Sequence, residues 1–250
     1  MKLDFYYYSY QCPLNDDIMK LLEEYKDKID ICYHDVTNDF GLAKELKMFF
    51  PTLVVLDKKR RYYSPIHRTF LEHVAAGEYP EEKPYLPPLS SKVVTKYVEL
   101  INGDNVGLAC DCCGNRTESN RCKKAQFLKL NMVEPYGFIH KSEEGCLIGG
   151  AEYLPAAIVP YDIPPDSKTA FITCVYMSDS EYDYKTAPLQ MLENYLRGQY
   201  TRVIAITDEK GVFPNGDLRF FLRNGYRDEG VIFEDISYCS LHLVSKQLVL

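Results

Sequence analysis

Four cysteines, Cys110, Cys112, Cys113 and Cys122, crowd into the stretch GLACDCCGNRTESNRCKK. Zinc usually takes two C-x2-C pairs or their histidine variants, because a two-residue spacer lets one turn present both sulfurs at tetrahedral angles. The C-x-C-C spacing departs from that geometry. Three chemistries stay open: a site for zinc or another soft metal built from two or three thiolates, a redox centre exchanging with Cys12, or an ordinary helix with some cysteines buried. Arg116, Arg121, Lys123 and Lys124 are close enough in sequence to lower thiol pKa values nearby, which favours the first two.

Cys12 itself opens Cys12-Pro13-Leu14-Asn15, directly after the apolar run LDFYYYS. A further stretch, residues 171–196, reads FITCVYMSDSEYDYKTAPLQMLENYL: an apolar β-rich run, a turn, then an amphipathic helix. Strand, turn and helix can hold a phosphorylated ligand on backbone amides. This turn has no glycine and carries Asp179, Glu181 and Asp183. Lys185 offsets part of that charge, and Pro188 fits the first helical turn, where its missing amide does no harm.

The elements that must position these residues follow from periodicity. LDFYYYS is a strand, and NDDIMKLLEEYKDK a helix capped by Asn15 or Asp16 with Ile18, Leu21, Leu22 and Tyr25 on one face. IDICYHDV is a second strand, and FGLAKELKMF a helix with Leu42, Leu46 and Phe49 inward. After Phe50-Pro51 come the strands TLVVLD and RRYYSP, and then the helix HRTFLEHVAAG, stopped by Gly77. The run Lys58, Lys59, Arg60 and Arg61 reads as a solvated hairpin turn. Tyr6, Tyr7, Tyr8 and Tyr10 follow strand periodicity, as core plus one exposed face. The proline-rich text YPEEKPYLPPLS then marks a linker, placed at 81–90.

Beyond it the pattern predicts a helix at SSKVVTKYVELI, a cysteine-rich loop, a helix near RCKKAQFLKLNM and strands at EPYGFIHKSE and GCLIGGAEYLPAAIV. Next come the strand TAFITCVYMS, the helix APLQMLENYLRG, the strand TRVIAITDE, the helix GDLRFFLRNGYRDEG and closing strands near GVIFED and YCSLHLVSK. His140 and His242 fall in strand-like segments, where a lone histidine reads as a satisfied sheet residue. The loop from Asp208 to Asp217 is a candidate ligand rim.

The first eighty residues, ordered βαβα then ββα, with Cys12 after the first strand and Pro51-Thr52-Leu53 opening the third, resemble the thioredoxin fold. The resemblance implies a reactive cysteine at a helix N-terminus, facing a cis-proline, at Cys12 and Pro51. Asn15 stands where the resolving cysteine would be, so an intradomain C-x-x-C disulfide is excluded. Cys12 then has two readings, a candidate monothiol or part of a module kept for docking or structure.

Residues 91–248, with the turn Phe220-Phe221-Leu222-Arg223-Asn224-Gly225-Tyr226, resemble the GNAT superfamily of N-acetyltransferases. The resemblance implies acetyl-CoA beside the strand from Phe171 to Met177. Backbone contacts to pantetheine then come from Cys174, Val175, Tyr176 and Met177, and the pyrophosphate lies at the turn with Lys185 and Thr186. It also implies Glu152 as candidate base toward a small-molecule or peptide amine, the alternative being an outward strand residue with an ordinary hydrogen bond. Two departures stand out: the phosphate turn lacks the family's glycines, and Phe221 replaces the tyrosine that protonates the departing thiolate, a role left to Tyr182, Tyr184 or Tyr226.

The expected fold is therefore of α/β and α+β class in two domains. A thioredoxin-like βαβαββα unit (1–80) is followed, after the linker, by a GNAT-like mixed sheet with flanking helices (91–250). The formal charge of −7 predicts no general attraction to nucleic acid or to an acidic membrane face. No apolar run approaches the roughly 18 residues of a spanning helix. The start MKLDFYYYSY lacks an apolar leader core, so a cytoplasmic location is expected. Nine cysteines, some in apolar runs such as those around Cys32 and Cys174, do not read as a disulfide scaffold. The two competing functions are an acetyl-CoA dependent N-acetyltransferase and a catalytically silent protein that binds a ligand or senses thiols or metals.

Overall fold

The alternating N-terminal run becomes strand β1 (Lys2–Tyr7), with Leu3 and Phe5 wholly buried. The fold is that of a computed structural model, which describes residues 1–8, 12, 14–63, 65–83, 89–112, 118–131, 134–164, 166–177, 181–211, 217–235 and 238–249, without the side chains of 118–122 and 177. Helix α1 (Leu14–Glu23) buries Ile18 and Leu22 on the face its periodicity defines. Then come β2 (Asp30–Asp35), α2 (Phe40–Glu45), β3 (Thr52–Leu56), β4 (Arg60–Tyr62) and α3 (Arg68–Ala75). Their sheet has the order β2-β1-β3-β4, with β1 parallel to β2 and antiparallel to β3. Every residue of β3 is buried, as an unbroken apolar run in an inner strand requires.

Three expectations for this sheet are corrected. The bond before Pro51 is trans, the cis proline bond among the described residues being Glu134–Pro135. Asn15 lies inside α1 and does not cap it. Its amide nitrogen faces the carbonyls of Tyr8 and Pro51 at 3.4 Å each, and its oxygen accepts from Thr52 Oγ1 at 2.7 Å. Arg61 is more than a solvated turn residue, since its guanidinium donates to the Leu46 carbonyl and lies over the Phe233 ring.

The second sheet begins with another correction. The segment expected to be a helix at 90–101 instead supplies strand β5 (Val98–Ile101), paired with the later strand β6, because Val93, Val94, Thr95 and Val98 are β-branched and favour extended backbone. Helix α4 (Val106–Ala109), a 3₁₀ turn (Cys110–Cys112) and α5 (Glu118–Asn131) lead to β6 (Gly137–Lys141) and β7 (Leu147–Pro155). Strand β8 (Thr169–Met177), α6 (Thr186–Leu196), β9 (Arg202–Asp208), α7 (Leu218–Arg223), β10 (Arg227–Asp235) and β11 (Cys239–Gln247) complete it. The order is β10-β11-β9-β8-β7-β6-β5; β8 and β9 are parallel, joined through α6, and the remaining pairings are antiparallel.

One core cluster runs continuously from Leu3 and Phe5 through Phe127 and Tyr161 to Leu241, so the two sheets share an interior. Tyr8 donates to the Ile158 carbonyl at 2.9 Å, and the Tyr63 amide donates to the Tyr238 hydroxyl at 3.0 Å. A second cluster packs α6 and α7 on the opposite face of the larger sheet, with Leu189, Leu192, Phe220 and Phe221 at 0% exposure.

Candidate active site

The ladder between parallel β8 and β9 runs only from Thr169–Arg202 to Ile172–Ala205. Past that point β8 continues against β7, with Glu152 opposite Cys174, while β9 continues against β11, with Asp208 opposite Leu241. The two strands diverge as a wedge. A register shift between Glu152–Cys174 and Tyr153–Ile172 makes Thr173 the extra residue of a β-bulge at the apex, and bulges increase local twist.

A buried polar cluster sits beside the bulge. Glu152 points inward, against the alternative of an outward strand residue, and is 2% exposed. Its Oε1 accepts from Lys124 Nζ at 2.8 Å and from the Tyr176 hydroxyl at 3.0 Å. Lys124, on α5, is 1% exposed. Burial alone would lower its pKa, but the Glu152 carboxylate and the nearby Cys112, Cys110 and Cys174 outweigh that and hold it well above the ordinary lysine value. Tyr176 is half-buried; burial and the adjacent carboxylate raise its phenol well above the usual tyrosine range. A Cβ on Gly150 would strike the end of the Tyr176 ring, so this glycine leaves the phenol room to reach Glu152.

The thiols do not behave as their basic flank suggested. Burial pushes Cys110 up to about 12 despite Lys124, and its sulfur faces the Val106 carbonyl at 3.3 Å. Burial also raises Cys174, and the neighbouring Glu152 adds to the effect. Lys123 is drawn away into an ion pair with Asp16. Cys113 and the side chain of Cys122 lie outside the described residues, among which no group of three or more His, Cys, Asp or Glu is placed to hold a metal ion. Cys12 is 3% exposed, and Tyr161, itself 2% exposed, feels both Cys12 and Cys174.

At the mouth of the wedge, Asp183 closes the turn into α6, two residues before its N-cap Lys185. Its Oδ1 accepts from the amides of Lys185 and Thr186 at 3.1 and 2.9 Å, and its Oδ2 from Thr186 Oγ1 at 2.7 Å and Arg223 at 2.6 Å. Lys185 is 6% exposed, with its ammonium 4.3 Å from the centre of the Phe220 ring; burial lowers its pKa, opposed by Asp183 and Asp217. Gly149 lets the Tyr184 backbone settle on β7 where a Cβ would collide. Asp179 and residues 212–216 of the 208–217 loop lie outside the described residues. Phe221 and Tyr226 are both core residues, with ring centres 5.1 Å apart. His140 Nδ1 meets the Tyr184 carbonyl at 3.2 Å and His242 Nδ1 meets Asp228 at 3.0 Å, but the Nε2 of each ring is buried without a hydrogen-bond partner among the described residues, so the expectation of satisfied sheet histidines holds for one nitrogen of each.

The structure thus brings Glu152, Cys174, Tyr176, Cys110 and Cys112 to one side of β8, and Lys185 and Thr186 to the wedge mouth. Sequence reasoning missed the partners: Lys124 was read only as a flanking charge and Arg223 only as part of a turn motif. Lys124 lies three and four residues before the buried Phe127 and Leu128, on the same helix face, and that spacing is the signal that could have pointed to it.

No family model and no curated protein matches the chain. Solved structures similar in layout over about 60% of it are N-acetyltransferases. One from Staphylococcus aureus Mu50 has 11% identity and a TM-score of 0.46, covering 61% of this chain and 98% of its own. A ribosomal-protein-alanine N-acetyltransferase from Brucella melitensis has 13% identity and a TM-score of 0.43, covering 60% of this chain and 98% of its own. The protein yncA from Salmonella typhimurium, solved with its cofactor acetyl-CoA, has 12% identity and a TM-score of 0.42, covering 61% of this chain and 94% of its own. Such identities and TM-scores are too low to carry the activity of those proteins across.

Acetyl-CoA, the cofactor the sequence resemblance implies, meets two different surroundings here. The diverging strands suit its slender pantetheine arm. The α6 N-terminus does not suit its pyrophosphate, because the Asp183 carboxylate already occupies the Lys185 and Thr186 amides that open it. Among the described residues, no helix is long and apolar enough to cross a membrane.

Proposed function

We propose that the chain is an acyltransferase of GNAT type, taking a pantetheine thioester of the acetyl-CoA class in the β8–β9 wedge and an amine as acceptor. The observation that carries this is the divergence of two parallel strands after Ile172–Ala205, with the Thr173 bulge at the apex. The donor lies along Cys174, Val175, Tyr176 and Met177, and the acceptor enters on the α5 side. There Glu152 is engaged by Lys124 and Tyr176, which suits it to orienting Tyr176 rather than to acting as an open base. Tyr176, held by Glu152 through its hydroxyl, is the polar side chain of this strand nearest the path of an incoming amine.

The 1–80 unit accompanies this site as a thioredoxin-like structural module. Its sheet order supports that layout, while the burial of Cys12 and the fixed hydrogen bonds of Asn15 favour packing over redox work. A second reading, a GNAT-like protein without turnover, is favoured by Phe221, a fully buried phenylalanine where the family uses a proton-donating tyrosine.

Calorimetric titration with acetyl-CoA and with S-acetyl-pantetheine, followed by an amine screen scored by thiol release, tests the proposal. Binding with amine-dependent thiol release supports acyl transfer. Binding without release from any amine leaves the silent reading. No heat from either ligand at millimolar concentration overturns the assignment of the wedge.

A further inference from the structure

A helix N-terminus draws negative charge because its first amides lack helical partners. In α6 that charge is supplied from within. Asp183 is 2% exposed and accepts all four of the hydrogen bonds described above, from two amides, one hydroxyl and one guanidinium. Its backbone is pinned as well: the Asp183 amide donates to the Lys92 carbonyl at 3.0 Å, and the Val94 amide donates to the Asp183 carbonyl at 3.1 Å. Residues 90–94 therefore cross the turn as a strap. The Ser90 hydroxyl donates to the Glu181 carbonyl at 2.8 Å, and Arg223 ties strap to turn, with Nη1 on the Ser90 carbonyl at 2.7 Å and Nη2 on Asp183 at 2.6 Å.

We infer that Asp183, clamped by Arg223 and the 90–94 strap, is a latch that shuts the α6 N-terminus against the phosphate groups of a donor, so that the donor is recognised through its pantetheine end alone. This inference rests on the wedge reading given above. A diphosphate brought to the same amides would have to displace a buried carboxylate that already holds them, and would be repelled by it on approach. Removing the charge of Asp183 leaves a complete anion cradle: the amides of Lys185 and Thr186, the Thr186 hydroxyl and the Arg223 guanidinium. The Lys185 ammonium stands beside it, with no carboxylate in ion-pair range among the described residues.

The test compares the full chain with Asp183→Asn, which keeps an accepting oxygen but loses the charge, using S-acetyl-pantetheine, acetyl-CoA and inorganic pyrophosphate as separate probes. Should Asp183→Asn fail to fold, Asp183→Ser serves, since a serine hydroxyl can also accept from backbone amides two and three residues on. In the native chain the two acetyl thioesters should bind within about threefold of each other and pyrophosphate should not bind. In the variant acetyl-CoA should tighten at least tenfold, pyrophosphate should become a ligand, and S-acetyl-pantetheine should be unchanged. Native acetyl-CoA binding ten times tighter than S-acetyl-pantetheine overturns the latch while keeping the wedge, as does a variant that binds both thioesters as the native chain does and gains no pyrophosphate. Pyrophosphate gained by the variant with neither thioester bound upholds the shut anion site but removes the wedge as a donor site. Silence from every probe in both proteins removes both.

Discussion

Lys124 Nζ lies 2.8 Å from Glu152 Oε1, with both side chains at or below 2% exposure, so α5 is bolted to β7 by an ion pair that water scarcely reaches. Breaking one half of such a pair is costly because the other charge stays buried. Lys124→Met should lower unfolding free energy by about 3–5 kcal/mol, and adding Glu152→Leu should recover most of it. Urea denaturation of the two variants checks this. A loss below about 1 kcal/mol for the single change would place the pair in solvent.

The thiols should divide by burial. Cys146 is exposed, whereas Cys12, Cys110 and Cys239 are 3%, 2% and 0% exposed. Iodoacetamide labelling read by peptide mass spectrometry should modify Cys146 within minutes and the other three only on unfolding. Cys110 and Cys239, both pushed up to about 12 by burial, should show no rate plateau below pH 9. Rapid labelling of Cys12 in the native protein would revive a monothiol role.

His140 is fully buried, and burial lowers its pKa from the ordinary 6.5. The folded chain then binds that proton less readily than the unfolded chain. The stability this provides is complete above about pH 6.5 and is lost as pH falls through the lower folded value. His140→Gln should flatten the decline of thermal midpoint between pH 6.5 and 5. An unchanged slope would assign the acid sensitivity to other groups.

The two sheets should melt together. Tyr238→Phe removes the acceptor of the buried Tyr63 amide and should cost about 1–3 kcal/mol. Fluorescence and far-UV circular dichroism should still report one coincident transition, because the core is shared. Two separated transitions would mean that the sheets are independent units.

Periodicity made most of the fold legible. Leu3 and Phe5, Ile18 and Leu22, and the unbroken TLVVL run each declared the buried face they occupy. It failed at 90–101, where β-branched residues paired with β6 although their spacing allowed a helix. Glu152 was legible as a residue of interest, but its inward direction was not, because β7 is buried on both faces and no polar alternation marks the sides. Lys124 and Arg223 were hidden for a different reason. Each acts through a partner at least 28 residues away, and local patterns contain no record of such pairings.

The shared core sets an order on the birth of the molecule. The Tyr63 amide waits for a hydroxyl 175 residues further along, and Tyr8 for a carbonyl 150 residues on. A ribosome delivers the first sheet long before the second can cover it, so the nascent chain carries an unfinished apolar face through most of its synthesis. Premature termination before the second sheet begins would release a product with that face still open, a natural substrate for chaperones and proteases rather than a smaller working protein.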